Sequence, residues 1–358
     1  MKRQTWHEVH PAFKLNGIHY TREDLNEVGY SLVKEGVEYE QSIGDFLLDW
    51  LSESPIIEVN TSGSTGEPKT IRLKKEHMVN SALATGTYFG LEPGQTALHC
   101  LPSRFIAGKM MLVRAMVLGL EMDYLEPSSR PLLHTDKKYD FCAMVPLQAT
   151  HSYEKLHLIN ILIVGGAPIT NKLKALLQDH PTKVYETYGM TETVTHIAVK
   201  KVNGPDKSDY FKTLPDVKIS KDERGCLVID APKVADAPVV TNDVVALVSD
   251  TEFEWLGRFD NIINSGGVKL VPEQIEAKLA NIFENRFFVA GIPDEELGQR
   301  LILVMEGDGD ADQIRGAIEA SKDLEKFEKP KEVYFIKAFL ETDTQKILRK
   351  ENLERLSL

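Results

Sequence analysis

Cysteine is scarce in this chain. The 358 residues hold three, Cys100, Cys142 and Cys226, odd in number, widely spaced and without a C-x-x-C pair. That excludes a disulfide framework and a cysteine-based zinc site. Long apolar runs are missing too: the richest stretch, "MMLVRAMVLGL", is interrupted by Arg114, and a membrane span needs about 20 apolar residues. The opening "MKRQTWHEVHPAFKLNG" lacks the apolar core of a secretion signal. Positive charge is short, with 42 Lys and Arg against 54 Asp and Glu and a formal net charge of -12. A general binder of nucleic acid or of a membrane surface has a basic footprint. Small anionic substrates stay open, because a local cluster of cations outweighs a distant acidic surface. A reducing cytoplasm is the expected location, and no repeat or low-complexity segment interrupts the chain.

What is present is a soluble α/β composition long enough for two domains. "ILIVGGAPI" (161–169) reads as a buried strand ending in a glycine turn, and "TNKLKALLQDH" follows with helical spacing at Leu173, Leu176 and Leu177. "TKVYETYGMTET" reads as another strand leaving into a polar loop. Both loops then sit at strand C-terminal ends, where open α/β sheets bind ligands. From about 210 the pattern turns to short alternating strands, "VKISKDERGCLVIDAP" around a Glu-Arg-Gly turn, which predicts a β-rich subdomain. After "WLGRFDNIINSGG" a compact α+β region begins, with Pro272 starting a helix that places Ile275, Leu279 and Ile282 on one face. The expected division is 1–257, a hinge at 258–260, and 261–358.

"NTSGSTGEPKTIRLKKEHM" (60–78) has the chemistry of a phosphate loop: hydroxyls at Thr61, Ser62, Ser64 and Thr65, glycines at 63 and 66, and a cation at Lys69. It is close to the ATPase P-loop G-x-x-x-x-G-K-T, but Pro68 stands where the second glycine belongs. Proline has no N–H and a fixed φ, so it cannot help wrap a phosphate in backbone donors. A flexible clasp fits better than a rigid cradle, although turn-forming residues of this kind also make plain surface loops.

The ordered motif "TSGSTGEPK" resembles the phosphate loop of the adenylate-forming superfamily of acyl- and aryl-CoA ligases and peptide-synthetase adenylation domains. Five further motifs follow in the family's order: "GGAPI" (165–169), "YGMTET" (188–193), "TND" (241–243) for the usual T-G-D, "GRFDNIINSGGVKLVPEQIE" (257–276), and "ETDTQKILR" (341–349) for the usual lysine motif. The resemblance implies a large N-terminal α/β domain with a β-rich subdomain, a small mobile α+β C-terminal domain, and an N-terminal part shorter than in most relatives.

It also implies a reaction: carboxylate plus ATP gives acyl-AMP and pyrophosphate, and a thiol then attacks to give a thioester. Two anions must meet, so positioning and charge neutralisation should dominate. Under that resemblance the catalytic residues are Lys346, bridging the acid and the α-phosphate, Glu192, holding Mg²⁺, and Lys69. The nucleotide residues are Thr61, Ser62, Gly63, Ser64, Thr65 and Gly66 at the phosphates; Gly165, Gly166, Ala167 and Pro168 at the adenine pocket; Tyr188, Gly189, Met190 and Thr191; and Asp243 with Arg258 at the ribose. Ser265, Gly266 and Gly267 line the pantetheine tunnel of coenzyme A, and Asp260 is the hinge. Taken without the resemblance, Lys346 reads as a solvated surface residue, Glu192 as a helix cap, Tyr188 as packing, Asn242-Asp243 as a turn, and 265–267 as a loop between strands. Asn242 replaces the family's glycine, Glu341 its proline and Gln345 its second glycine.

Within the superfamily "MVPLQ", "ILIVGGAPITNKL" and "TYGMTET" resemble the 2-succinylbenzoate–CoA ligases of menaquinone synthesis. Their H-I-S-G segment appears as Phe105-Ile106-Ala107-Gly108, without the histidine. Arg104, Lys109 and Arg114 form a cationic patch nearby, and Lys109 or Arg104 is expected to bind the second carboxylate of a dianionic acid; Lys109 reads alternatively as a snorkelling residue. The implied cofactors are ATP, Mg²⁺ and coenzyme A. The implied partner is a small carboxylic acid, with no nucleic acid, no membrane insertion and a homodimer left open. Another adenylating enzyme that loads a carrier protein, or a nucleotide-binding relative without catalysis, are the competing readings.

Overall fold

The computed structural model describes residues 5–60, 70–342 and 346–356. Strands β1 (Lys14–Leu15) and β2 (Ile18–His19) precede a helical pair, α1 (Arg22–Glu35) and α2 (Glu38–Leu51). Helix α1 starts at a reciprocal cap: the Asp24 amide donates to the Thr21 hydroxyl and the Thr21 amide donates to the Asp24 carboxylate. A ribbon of β3 (Ile56–Asn60) and β4 (Thr70–Lys74) leads into α3 (Lys75–Phe89). Then come β5 (Thr96–His99), α4 (Ile106–Leu118), β6 (Glu121–Tyr124), β7 (Tyr139–Met144), α5 (Pro146–His151), β8 (Ile159–Val164), α6 (Asn171–Leu177) and β9 (Lys183–Gly189).

The run "MMLVRAMVLGL" forms most of α4, buried from Gly108 to Leu118 on every side. A helix apolar all round belongs in a core, and no helix among the described residues is long and apolar enough to cross a membrane. Helix α6 buries Leu173 and Leu177 but leaves Leu176 exposed, so its apolar face is narrower than the leucine spacing suggested.

The antiparallel half follows: β10 (His196–Lys201), β11 (Phe211–Thr213), β12 (Lys218–Lys221), β13 (Cys226–Asp230), β14 (Val239–Leu247) and β15 (Glu252–Arg258). Among the described residues thirteen strands join in one sheet, ordered β12-β13-β14-β15-β11-β10-β9-β8-β7-β5-β6-β1-β2. Pairing is parallel from β9 through β8, β7, β5 and β6 to β1, and antiparallel from β9 to β12. The change of direction falls at β9–β10, so the loops after β8 and β9 open beside the edge of the antiparallel half.

A second sheet begins beyond Arg258. It contains β16 (Ile263–Ser265), β17 (Val268–Leu270), β18 (Phe287–Asp294), β19 (Gly298–Glu306) and β20 (Glu332–Ile336), flanked by α7 (Pro272–Leu279), α8 (Ala311–Ala320) and α9 (Arg349–Glu354). Proline opens α7, and Ile275 and Leu279 are buried while Ile282 packs just past the helix end. Gly266 and Gly267, at φ 58° and 82°, form the two-residue turn between β16 and β17. Positive φ at both central positions is what a tight hairpin demands, and it suffices to explain both glycines.

The lysine segment is anchored to this sheet by Arg349. Its guanidinium donates to both carboxylate oxygens of Glu276 on α7, at 2.6 and 2.7 Å, and to the Val289 carbonyl at 3.0 Å. Truncating one member of a largely buried ion pair strands the other. Arg349→Ala is therefore expected to cost about 3 kcal/mol of the small unit's stability, measurable as earlier thermal unfolding.

Candidate active site

Asp243 lies at the centre of the observed constellation. It sits on β14, buried, and faces Arg258 across the ladder on β15. Three donors converge on its carboxylate: the Tyr188 hydroxyl at 2.6 Å, the Trp255 indole N–H at 3.1 Å and an Arg258 N–H at 3.3 Å. The Tyr188 ring packs against Phe211 and Phe253, so its hydroxyl is directed at Asp243 from an aromatic cluster. Burial and the Asp243 charge both push the phenol's pKa far above its ordinary value, which keeps it a donor. Trp255 was not legible as a site residue. Only its place on β15, three residues before Arg258, hints that it shares this neighbourhood.

The turn Gly165–Pro168 follows β8 and is exposed from Gly166 to Pro168. It is clipped to β9: the Thr187 hydroxyl donates to the Val164 carbonyl, and the Ile169 amide donates to Glu186. Gly189 ends β9 hard against the backbone of β10 and the residue before it. A Cβ there would lie 2.3 Å from the Thr195 carbonyl oxygen and 2.4 Å from the His196 Cα, so no larger residue fits without moving backbone.

Beyond Gly189, Met190 leads into a short 3₁₀ turn, Thr191–Thr193, with Glu192 exposed on it. No described residue hydrogen-bonds the Glu192 carboxylate. The turn is tied by the Thr193 hydroxyl, which donates within reach of the Met190 and Thr195 carbonyls and accepts from the Met190 amide. Val194 follows at φ 66°, ψ -61°, with the Thr195 amide donating to the Thr193 carbonyl at 2.7 Å. That is a γ-turn on a buried β-branched residue, a strained conformation.

Lys346 arrives from the small unit. Its segment is closed by an antiparallel bridge between Glu341 and Ile347 and by the Thr342 amide donating to the Lys346 carbonyl at 2.9 Å. Arg286 pairs with Glu341, giving the glutamate that replaces the family's proline an anchoring role. The Lys346 side chain keeps solvent contact, yet crowding protein and the nearby Arg258 charge push its pKa below the ordinary lysine value, against the pull of Asp243. The cation from 346 and the pair 243/258 therefore feel one another across the two sheets. Asp260 lies between these units, contacted by Arg258 at 3.4 Å and by the Asn242 amide at 3.1 Å. By contrast, the Ser265–Gly267 turn makes its contacts with Leu297, within its own sheet.

The cationic patch divides. Arg104 is exposed over the Phe105 ring, and Lys109 is buried over Phe46 with Asp45 and Asp49 of α2 nearby. Arg114 is 1% exposed and meets no carboxylate among the described residues. Its partners are Thr85 Oγ1 at 3.3 Å, His196 Nδ1 at 3.4 Å and Met111 Sδ at 3.8 Å. Arginine only donates, so His196 Nδ1 accepts and the neutral ring carries its proton on Nε2, toward Thr85. Burial first, then the Arg114 charge, hold the His196 pKa well below its usual value, consistent with that tautomer. Burial pushes Arg114 itself down to about 9, still charged at neutral pH. Thr85 and His196 had no signature in the sequence; only the fold brings α3, α4 and β10 together.

Thr61, Ser62, Gly63, Ser64, Thr65, Gly66 and Lys69 lie outside the described residues, which resume at Thr70 on β4.

Comparison with known proteins places the chain in context. The profile of the AMP-binding enzymes matches residues 49–230. A 2-succinylbenzoate–CoA ligase of Lactococcus lactis is 25% identical over 325 residues, 85% of this chain and 72% of that protein. The 2-succinylbenzoate–CoA ligase of Enterococcus faecalis is 23% identical, over 93% of this chain and 76% of its own. Among solved structures, an acyl-CoA synthetase (AMP-forming)/AMP-acid ligase II-like protein from Dyadobacter fermentans is 38% identical, with a TM-score of 0.61, covering 93% of this chain and 98% of that one. An o-succinylbenzoate CoA synthetase of Bacillus subtilis, solved with its acyl-adenylate intermediate, shares the fold at a TM-score of 0.72 and 20% identity, over 84% of this chain and 69% of that one.

Proposed function

This chain belongs to the AMP-binding enzyme family, and from that membership we propose that it is an ATP-dependent acid–CoA ligase working through an acyl-adenylate. The acid proposed is 2-succinylbenzoate, as in the curated relatives, and the setting menaquinone synthesis. The observation that carries the reading is the convergence of the Tyr188, Trp255 and Arg258 donors on the buried Asp243 carboxylate, a group suited to a ribose diol, with the Lys346 charge felt there from the small unit.

In this proposal Asp243 and Arg258 hold the ribose hydroxyls. Tyr188 fixes Asp243 from behind through its hydroxyl, while the exposed turn 165–168 and the segment 189–191 border the adenine and phosphates. Thr61–Gly66 and Lys69 clasp the β- and γ-phosphates that leave as pyrophosphate. Lys346 neutralises the acid carboxylate and the α-phosphate as they approach, replacing solvent by a fixed cation. The free, exposed carboxylate of Glu192 fits Mg²⁺, which takes one or two carboxylates together with phosphate oxygens. When bound, the ion neutralises phosphate charge. Rotation about Asp260 is proposed to withdraw Lys346 and bring Ser265, Gly266 and Gly267 to the pantetheine arm of coenzyme A.

A dianionic acid needs a second cation, and Arg114 meets that need better than Arg104 or Lys109. Arg104 is solvated and Lys109 already faces α2, whereas Arg114 is desolvated with no counter-ion among the described residues, an arrangement whose cost a substrate carboxylate would offset. A cytoplasmic location agrees with three unpaired, buried thiols; a homodimer would be read from sedimentation.

Carboxylate-dependent exchange of pyrophosphate into ATP, over a panel of aryl and acyl acids, tests the reading. Exchange with 2-succinylbenzoate, followed by thioester formation with coenzyme A, is the expected result. No exchange with any acid would overturn it, and transfer only to a phosphopantetheinyl carrier protein would replace coenzyme A as the acceptor.

A further inference from the structure

A continuous polar chain runs from the β12–β13 turn to the segment between the two sheets. Asp222 holds Arg224 at 2.8 Å. Arg224 donates to the Asn242 side-chain oxygen at 2.8 Å and to the Thr241 carbonyl at 3.0 Å. The Asn242 amide nitrogen donates to both oxygens of Asp260, at 3.1 and 3.4 Å. Arginine has only donors and aspartate only acceptors, so the orientation of the Asn242 amide is settled by its neighbours. Arg224 also lies over the Phe259 ring, 5.2 Å from its centroid. Residues 259 and 260 are thus held from the large unit by two side chains, while Arg258 joins Asp260 to Asp243.

We propose that Asn242 and Arg224 are positioning residues that latch the 258–260 segment in the arrangement presenting Lys346 to Asp243 and Arg258, and so set the balance between the adenylating and thioester-forming halves of the reaction. The inference rests on the ligase reading. The physical step is simple. Swinging the small unit about Asp260 breaks the Asn242–Asp260 hydrogen bonds and lifts Phe259 from Arg224. The arrangement seen here is favoured by whatever those contacts contribute. The glycine usual at position 242 has no side chain and supplies none of them, so the latch is a property of this chain's own substitution. An aspartate at 242 would still accept from Arg224 but would face Asp260 with like charge.

The test compares wild type with Asn242→Ala and Asn242→Asp in three measurements. These are pyrophosphate exchange, thioester formation from supplied acyl-adenylate and coenzyme A, and amide hydrogen exchange across residues 256–262 in the free protein. A partly exposed hydrogen bond to a charged group corresponds to about a fivefold shift in such a balance. Asn242→Ala is therefore expected to slow adenylation about fivefold while thioester formation holds or rises, with segment exchange about fivefold faster and the melting temperature unchanged. Asn242→Asp should shift all three further in the same direction. Equal changes in both half-reactions, or unchanged hydrogen exchange in both variants, would overturn the latch. A wild-type protein inactive with every acid, whose variants still loosen the segment, would retain the latch as a conformational device and sink the ligase reading.

Discussion

Lys346→Ala is expected to lower acyl-adenylate formation by about 10²- to 10³-fold, the loss typical of removing one preorganised charge donor from a developing anion. Thioester formation from supplied acyl-adenylate should largely persist. The asymmetry follows from the geometry. The Lys346 segment is closed by the Glu341–Ile347 bridge and fixed through Arg349 to α7, which holds its charge where Arg258 and Asp243 act on it. Under the proposed rotation about Asp260 the small unit carries Lys346 away, so the thioester step does not draw on it. Lys346→Arg would keep the charge but not the compact ammonium, and should recover only part of the loss. Separate assays of pyrophosphate exchange and of thioester formation decide the matter. An equal loss in both would contradict a two-arrangement mechanism.

Arg114→Met carries the second large expectation. Removing one side of a desolvated charge pair costs roughly 2–5 kcal/mol, so kcat/KM for 2-succinylbenzoate should fall by at least about 30-fold. Most of the fall should appear in KM, because the second carboxylate lies away from the reacting one and is held equally before and during reaction. Benzoate and other monoanionic aryl acids should lose little, so the ratio between the acids is the informative readout. The methionine variant is chosen because an apolar side chain of similar length relieves a buried charge and avoids a cavity. A Lys109→Ala control should leave the acid preference unchanged, since that ammonium faces Phe46 and the α2 carboxylates. If Lys109→Ala raises KM for the dianionic acid and Arg114→Met does not, the cation has been misassigned.

The legible parts of this protein were those in which local chemistry and ordered motifs agree. The strand of 161–164 and its glycine turn, the helix opened by Pro272 and the short strands around Arg224 each announce themselves through periodicity or turn residues. Asp243 and Arg258 were marked by motif, and their cross-strand register explains why a separation of fifteen residues still makes a pair. Other features arise only in three dimensions. Arg114 was visible as a charge interrupting an apolar run, but nothing in the sequence says that α4 is buried all round or that Thr85 and His196 surround that charge. Trp255 becomes a ligand of Asp243 through sheet geometry alone. The Asn242–Asp260 contact looked like a departure from a motif, and its meaning depended on Arg224 arriving from another hairpin.

The γ-turn at Val194 bears on how far such a site could be made more robust. Its backbone sits where a β-branched residue is uncomfortable, directly after the turn carrying Glu192 and against the close approach of Gly189 to His196. Substitutions that ease this corner are expected to gain stability by letting it relax, and relaxation there shifts the backbone from which the turn presents Glu192. With Glu192 in its proposed role at Mg²⁺, heat resistance and the aim of that carboxylate compete for the same residue.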